Sequence, residues 1–374
     1  MSSNPFYLIT RQTELEAFLR RIEPVDEIAL DTEADNMYHY RNRICLFQVR
    51  AEDEIVLIDP LSNLKLDSFF ERIREKALLM HGSDFDLRLM FERIGFSPLR
   101  LFDTMLAAQL LGRTKIGLGS LVEDYCEVSL PKGHQKSDWS QRPLPGKMLL
   151  YAAQDVQYLF EIKETMQKEL EERGRMEWFR QRCQWQIEVG ALGFGERDEH
   201  SWRIPGSRTL AGRGLACLYE LWTWRERAAE KADLPPFKIL NNPYLLEIAK
   251  AVEKKKKPTD DWHKVVPPKI LGRHGAALEK AVERGFSLDP SSLQRKPRSP
   301  VAREPLSKEE LQRQDLIKEA RDDCASELGI DAALIANRAQ LILLSRKPET
   351  LDQILLPWQA ELLREAVSEL SPGS

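Results

Sequence analysis

Two acidic residues, Asp31 and Glu33, lie in the sequence LDTEAD, at the end of an apolar run. If this run is a β-strand, residues two apart project to the same face, and the two carboxylates lie side by side. Unpaired carboxylates in that arrangement repel each other, so they usually hold a cation or share a proton. The pair therefore predicts a site for positive charge, with two solvated acids in a turn as the alternative.

A third acidic residue follows a later apolar run, in the sequence HGSDFDLRLM (81–90). We expect this segment to begin a helix, with Asp86 in its first turn and facing the edge of the sheet. Asp84 is the competing candidate, although the simplest role for Ser83 or Asp84 is to cap the helix by accepting free backbone N–H groups. His81 could also contact the site, but a lone histidine at the end of a strand more often has a structural role.

The sequence YAAQD places Tyr151 and Asp155 four residues apart. On a helix these positions share one face, about 5–6 Å apart, so a phenol and a carboxylate are presented together. An ordinary surface pair is the alternative. Together with the earlier acids, the pair completes a set suited to phosphodiester hydrolysis assisted by two metal ions. A set of carboxylates without Cys or His favours hard ions such as Mg²⁺ or Mn²⁺.

Residues 1–165 have the pattern of an α/β domain. Short runs rich in Ile, Leu and Val predict strands at 25–30, 44–50, 54–59 and 77–81. Apolar residues at helical spacing predict helices at 66–76 and 84–95, and Gly95 is a typical helix end. This order predicts a mixed central sheet flanked by helices, followed by helical segments after about residue 104.

Two segments rich in Gly, Pro, Ser or charge interrupt the helical pattern, at 193–207 and 287–307. They predict three domains, which cover residues 1–200, 208–288 and 305–370. The first is the α/β domain, and the other two are small and all-helical.

The composition is that of a folded protein of 374 residues, and no apolar run approaches the ~20 residues of a membrane span. The five cysteines form no C-x-x-C pair, which argues against zinc and disulfides and for a reducing compartment, the cytoplasm. Residues 201–300 carry 20 Lys and Arg against 11 Asp and Glu, within a chain whose net charge is −4. A basic central segment in an otherwise acidic chain is typical of a module that binds phosphates. The alternative is a chance run of solvated charge, such as Lys254–Lys257.

A loop at 130–145, which we call the substrate loop, mixes basic, amide and aromatic side chains. Its candidate substrate-binding residues are Lys132, Gln135, Lys136, Trp139 and Arg142. Basic groups contact phosphate, and an aromatic ring can stack on an unpaired base. The alternative is a solvated loop in which Trp139 packs as a lid.

These motifs resemble the DEDD exonuclease superfamily, in the subgroup that carries a tyrosine. The stretch K-G-x-Q-x-S-D-W-x-x-R-P-L at 132–144, followed by Y-A-A-x-D, is similar to the bacterial ribonuclease D family. The stretches LACLYELWTWRERAA, LPPFKIL and LLEIA resemble an HRDC domain, a small helical nucleic-acid-binding module. The block at 308–370 resembles the second such domain of that family.

The resemblance implies a ribonuclease H-like fold and hydrolysis of RNA from its 3′ end to nucleoside 5′-monophosphates, with tRNA precursors as typical substrates. By the same resemblance, Asp31 bridges two ions, Glu33 and Asp155 complete the ion on the nucleophile side, and Asp86 supports the other. Tyr151 orients the attacking water or helps to deprotonate it. We expect a monomer without a membrane segment.

Two rival functions stay open on the sequence alone. One is a DNA exonuclease of the same superfamily, because the sequence does not say what would read the 2′-hydroxyl of RNA. The other is an inactive RNA-binding scaffold. The presence of all five active-site residues argues against it. A nucleoside triphosphate is not expected, because the segment 112–118 lacks the lysine that a phosphate-binding loop requires.

Overall fold

A computed structural model describes residues 6–131, 133–195, 198–253, 261–293 and 305–368. The chain divides into two compact units. The described part of the first unit falls within residues 1–34, 44–194 and 299–374, and that of the second within residues 35–43 and 195–298.

Six strands of the described chain form one mixed sheet in the first unit. The strands are β1 (Tyr7–Ile9), β2 (Glu27–Ala34), β3 (Ile44–Ala51), β4 (Glu54–Ile58), β5 (Ala77–Met80) and β6 (Arg100–Asp103). Their order across the sheet is β1-β4-β3-β2-β5-β6. Strand β3 is antiparallel to both of its neighbours, β2 and β4. The other pairs are parallel: β1 with β4, β5 with β2, and β6 with β5. The predicted fold class, a mixed sheet flanked by helices and followed by helical segments, is confirmed.

Helices follow and interleave with these strands in the first unit. They are α1 (Gln12–Arg21), α2 (Asp67–Arg74), α3 (Asp84–Ile94), α4 (Thr104–Leu110), α5 (Leu118–Cys126), α6 (Gly146–Gln157), α7 (Leu159–Glu172) and α8 (Met176–Gly190). Helix α3 ends at Gly95, whose φ of 64° is in the left-handed region that glycine adopts without strain. The predicted helix end at Gly95 is therefore confirmed.

The alternation of side chains along the strands gives the sheet two apolar faces. Leu30 and Phe47 belong to the core beneath α1, α2 and α3. Ala29, Leu46 and Leu57 belong to the core on the opposite face, which contains buried residues of α4, α6, α7 and α8. The middle of the sheet is thus covered on both sides, and polar side chains at its strand ends can be enclosed.

The described residues of the second unit form helices and no strand. Its helices are α9 (Gly212–Ala232), α10 (Pro236–Ile239), α11 (Asn242–Glu253) and α12 (Pro268–Ser287). Trp262, Leu218, Leu245 and Leu278 are fully buried in its core. Among the described helices of the whole chain, none combines the length and apolar character that a membrane crossing requires.

The C-terminal helices share a core with the first unit instead of the separate core that we predicted for 305–370. They are α13 (Lys308–Leu328), α14 (Ala332–Ile335), α15 (Arg338–Arg346), α16 (Leu351–Ile354) and α17 (Pro357–Ser368). The Trp358 ring stacks on Trp178 of α8, with centroids 4.9 Å apart. A Cβ at Gly112 would collide with the carbonyl oxygen of Gly329, so only glycine allows this approach of the two segments.

Candidate active site

Asp31 and Glu33 lie near the end of β2 and line one cavity of about 830 Å³. In the pairing of β2 with β3, Asp31 is opposite Gln48 and Glu33 is opposite Leu46. The register shifts directly after Glu33, where the strand begins to leave the sheet. The two carboxylates therefore open into a space beyond the apolar middle of the sheet, on a common side as predicted.

Helix α6 brings Tyr151 and Asp155 to the same cavity. Its other face is apolar, and Met148, Ala152 and Val156 are buried against the sheet. Because the helix is fixed by this face, the positions four residues apart on its remaining side present the phenol and the carboxylate together.

Asp86 reaches the acids from α3, on the other side of β2. Asp86 is 8% exposed and does not line the cavity, and its carboxylate accepts a hydrogen bond from the Thr32 hydroxyl. Its negative charge nevertheless acts on both Asp31 and Glu33. We call Asp31, Glu33, Asp86 and Asp155 the acidic tetrad.

The turn that begins α3 is held by Asp103 at the end of β6. The Asp103 carboxylate accepts the N–H groups of Gly82 and Ser83, at 3.0 and 2.8 Å, and the Ser83 hydroxyl at 2.8 Å. Ser83 thus donates to Asp103, and its side chain makes no capping bond to α3. The predicted cap by Ser83 or Asp84 is wrong, because Asp84 instead pairs with Arg88 at the surface.

The start of α5 and the substrate loop contribute further residues to the cavity. Gly117, Ser120, Leu130 and Gln135 line this part of the cavity. The side chain of Gln135 hydrogen-bonds the phenol of Tyr151. Gln135 and Tyr151, predicted separately from two motifs, are therefore in direct contact.

Burial raises the pKa of every member of the acidic tetrad, and repulsion within the tetrad adds to it for Asp31 and Glu33. For Asp31, burial and then the charges of Asp86 and Asp155 raise the pKa well above its ordinary value. Burial, with a smaller contribution from Asp31, raises the pKa of Glu33 to about 10. Burial raises the pKa of Asp86 and of Asp155 to about 7. Within the described residues, none of the four acids pairs with a lysine, arginine or histidine.

The residues present fit a divalent cation. Four buried or half-buried carboxylates without a cationic side chain lack the positive charge that would let them ionise together, and oxygen donors suit Mg²⁺ and Mn²⁺. As they stand, no three His, Cys, Asp or Glu side chains of the described residues converge closely enough to hold one ion by themselves. This arrangement matches Mg²⁺, which is usually bound by one or two carboxylates together with water and substrate phosphate.

In metal-free buffer, the free energy of unfolding is expected to fall as the pH rises from about 5 to about 8. Aspartates in the unfolded chain have a pKa near 4, whereas burial raises the pKa of Asp86 and Asp155 to about 7 in the folded protein. Between these values the folded state binds more protons than the unfolded state, so a rising pH favours unfolding. We expect a loss of about 1–3 kcal/mol, or about 2–10 °C in melting temperature.

Mg²⁺ is expected to reverse this loss, and to raise the melting temperature more at pH 8 than at pH 6, because it binds the deprotonated acids of the folded state. Thermal melts in EDTA and in Mg²⁺ at the two pH values measure both effects. The Asp155→Asn variant is the control, since it should show a shallower slope with pH in EDTA. A flat stability between the two pH values, or an unchanged slope in the variant, would contradict the raised pKa values.

The predicted substrate loop contains two residues whose side chains are committed to the protein. Trp139 is 1% exposed and packs near the Tyr151 ring, so in this structure it cannot stack on a base. The guanidinium of Arg142 donates two bonds to Asp59, at 2.6 and 2.7 Å, and three more to the carbonyl oxygens of Cys45, Trp139 and Gln141. All five donors are used internally, which corrects both substrate-binding predictions.

The other members of the loop fall into two groups. Gln135 and Lys136 are exposed, which is compatible with their predicted contact with substrate. Lys132 lies outside the described residues, as does the Lys254–Lys257 run.

Two residues of the site, Thr32 and Asp103, were not predicted from the sequence. Thr32 is the middle residue of D-T-E, and strand alternation turns it away from its neighbours toward Asp86. No feature of the sequence indicated Asp103, because the strand β6 that it ends was not predicted either. His81, left open by the sequence, lines the cavity and lies 2.9 Å from the Thr104 hydroxyl through Nδ1, while burial lowers the pKa of its ring.

Comparison with known proteins places this geometry in a family. Residues 6–171 match the family model described as 3′-5′ exonuclease, and residues 214–281 match the HRDC domain model. The ribonuclease D of Bartonella henselae is 30% identical over 340 residues, which cover 89% of this chain and 82% of the relative. The ribonuclease D of Gluconacetobacter diazotrophicus is 26% identical over 375 residues, covering 98% of this chain and 93% of the relative.

A solved structure agrees with these relatives. The crystal structure of Escherichia coli RNase D, described as an exoribonuclease involved in structured RNA processing, superposes with a TM-score of 0.73 at 26% identity. The match covers 98% of each chain, so it includes the exonuclease sheet and both helical regions. The resemblance drawn from the acidic motifs and the helical tail is thereby confirmed, and the chain belongs to the ribonuclease D family of 3′-to-5′ exoribonucleases.

Proposed function

We propose that the acidic tetrad holds two divalent metal ions, Mg²⁺ or Mn²⁺. With these ions bound, the protein hydrolyses the last phosphodiester bond at the 3′ end of RNA. The observation that carries this proposal is the convergence of three half-buried carboxylates on one cavity, with the buried Asp86 close enough for its charge to act on two of them and no cationic partner among the described residues. The exonuclease family to which the chain belongs depends on divalent metal ions, which supports the proposal in its coarser form.

Each member of the tetrad has a position that suits a separate task. Asp31 and Glu33 face the cavity from β2, and Asp155 faces it from α6. Their oxygen atoms could therefore bind metal ions in the cavity from two different secondary-structure elements. Asp86 lies behind them and is oriented by Thr32. Bound ions would polarise the phosphate, make the attacking water more acidic and neutralise the charge of the leaving oxygen.

Tyr151 is proposed to orient the attacking water by a hydrogen bond rather than to remove its proton. Burial, followed by the charges of Asp155 and Glu33, raises the pKa of the phenol far above neutrality, so the hydroxyl keeps its proton. Gln135 holds the same hydroxyl from the substrate loop. A protonated phenol fixed in this way can position water but is a poor base.

The Tyr151→Phe variant is expected to lower kcat by about 10- to 100-fold with little change in KM for RNA, because the ring stays packed while the water loses one contact. The pH profile of kcat should keep its shape, since the phenol does not titrate in the working range. Steady-state kinetics at several pH values measures both. A change in the position of the alkaline limb would indicate that Tyr151 acts as a base.

The substrate class is proposed to be structured RNA with a short 3′ extension, such as a tRNA precursor. The description of the Escherichia coli relative as an enzyme of structured RNA processing supports this class. The HRDC domain at 214–281 and the basic surplus of residues 201–300 support a second region that binds RNA phosphates in addition to the cavity. A monomer and a cytoplasmic location stay predictions, the latter supported by five cysteines, none of which forms a disulfide in the described residues.

The proposal is tested with matched substrates. Purified protein is incubated with a single-stranded RNA, the DNA of the same sequence, and a tRNA precursor with extra 3′ nucleotides, each in Mg²⁺, Mn²⁺ or EDTA. We expect metal-dependent trimming of both RNAs, with the tRNA precursor trimmed to a defined end and the DNA cut more slowly. Faster cleavage of DNA would favour the DNA exonuclease instead, and RNA binding without any cleavage would favour the inactive scaffold.

A further inference from the structure

Gln48 is a buried polar residue in a strand that is otherwise mostly apolar. Strand β3 has the sequence ICLFQVRA, and the Gln48 side chain is fully buried within it. Both its Nε2 and its Oε1 lack a hydrogen-bond partner among the described residues. A buried amide without partners costs free energy, which a leucine of similar size at this position would avoid. The stability of the core therefore does not explain a glutamine at this place.

The register of the sheet identifies the polar group that lies across from Gln48. β2 and β3 are antiparallel, and Gln48 is directly opposite Asp31. Side chains of directly opposite residues project to the same face, with Cβ atoms about 4.5–5.5 Å apart. A glutamine has three rotatable bonds, so its amide can span this distance to the aspartate carboxylate. On its other side, Gln48 is opposite Leu57 of β4, which has no polar side chain to offer.

We propose that Gln48 is a positioning residue for Asp31, and that its side-chain amide donates a hydrogen bond to the Asp31 carboxylate when that carboxylate is charged. This inference rests on the proposed function, because a metal-binding Asp31 must carry its charge inside the protein. The charges of Asp86 and Asp155 act against that charge. A charge-assisted hydrogen bond from Gln48 offsets part of their repulsion and fixes the direction in which the carboxylate faces the cavity.

The test replaces Gln48 by leucine, which removes the amide and keeps a similar volume. We expect the RNA-free Gln48→Leu protein to bind Mn²⁺ about 10-fold more weakly than the wild type, as followed by electron paramagnetic resonance of free Mn²⁺. We expect kcat to fall by a similar factor while KM for RNA stays within about 2-fold. In EDTA the melting temperature should be unchanged or higher, because a buried amide without partners has been removed.

The matched control is Leu57→Met, which alters packing beside Gln48 on the same face without changing any hydrogen bond. It should leave Mn²⁺ affinity and kcat close to those of the wild type. Gln48→Met is a second test variant, with an unbranched side chain and the same expected outcome as Gln48→Leu.

Two results would overturn the inference while the wild type is active. One is a Mn²⁺ affinity in both Gln48 variants equal to that of Leu57→Met. The other is a drop in melting temperature in EDTA large enough for the unfolded fraction to explain the lost activity, which would make Gln48 a packing residue. A wild-type protein that neither binds Mn²⁺ nor cleaves RNA would overturn the proposed function as well.

Discussion

Replacement of Asp31 by asparagine is expected to lower kcat for RNA cleavage by about 1000-fold or more. Asp31 is half-buried, faces the cavity and lies within reach of the charges of Asp86 and Asp155, so it contributes a central negative charge to the proposed metal site. Metal ions contribute several kcal/mol to the stabilisation of phosphate charge in the transition state, and each 1.36 kcal/mol is a factor of ten in rate. RNA binding should change little, because asparagine keeps the volume and the phosphate contacts lie elsewhere.

The measurement is single-turnover cleavage of a labelled RNA, combined with RNA affinity in EDTA. Asp84→Asn is the matched control, because Asp84 begins the same helix as Asp86 but is exposed and paired with Arg88. This variant should keep its activity. Full activity of Asp31→Asn would rule out a role in metal binding, and loss of activity in Asp84→Asn would mean that the choice of Asp86 over Asp84 is wrong.

The second large effect concerns Trp358, which we expect to be required for the heat stability of the nuclease. Trp358 is 1% exposed, stacks on Trp178 of α8, and its backbone N–H donates to Gln181 at 3.0 Å. Arg175, which precedes α8, also donates to the carbonyl oxygen of Leu328 at 2.7 Å. A change to alanine leaves a cavity in this shared core, and such changes cost about 3–5 kcal/mol.

Trp262 provides the matched control for this prediction. It is equally buried, but it lies in the core of the second unit. Trp358→Ala should shorten the half-life of nuclease activity at elevated temperature, whereas Trp262→Ala should lower only the melting transition of the second unit. Equal losses of heat stability in both variants, or none in Trp358→Ala, would contradict the grouping of the C-terminal helices with the nuclease.

Much of the sheet could be predicted because its central strands are apolar runs bounded by turn residues. The predicted runs at 25–30, 44–50, 54–59 and 77–81 correspond to β2, β3, β4 and β5. β1 has only three residues, and β6 has a charged residue at each end of its four, whereas the equally short β5 is wholly apolar and stands out from the background. The sequence therefore predicts the strands that carry the acids and misses both edges.

The acids could be predicted because local geometry alone brings each pair together. Residues two apart on a strand lie on the same face, and so do residues four apart on a helix. The first relation brings Asp31 and Glu33 to the cavity together, and the second does the same for Tyr151 and Asp155. The substrate loop has no such relation. Trp139 is buried and Arg142 is bound to Asp59, 83 residues earlier, and neither fact has a local signature in the chain.

The position of the C-terminal helices could not be predicted for a similar reason. An amphipathic pattern shows that a helix buries one face, but it does not show against which surface. Residues 308–368 have the pattern of a small helical domain, yet Ile317, Leu341 and Trp358 lie in the core that also contains the nuclease helices. Only long-range contacts such as the pair of Trp178 and Trp358 distinguish these two outcomes.

The most direct test of the central claim is digestion of one RNA labelled at its 5′ end, in Mg²⁺ or Mn²⁺ and in EDTA, with analysis of the released nucleotides. Removal of single nucleotides from the 3′ end should give a descending ladder of labelled products, nucleoside 5′-monophosphates as the other product, and no cleavage in EDTA. Immediate release of the label as a mononucleotide, or cleavage that continues unchanged in EDTA, would contradict the account of a metal-dependent nuclease acting from the 3′ end.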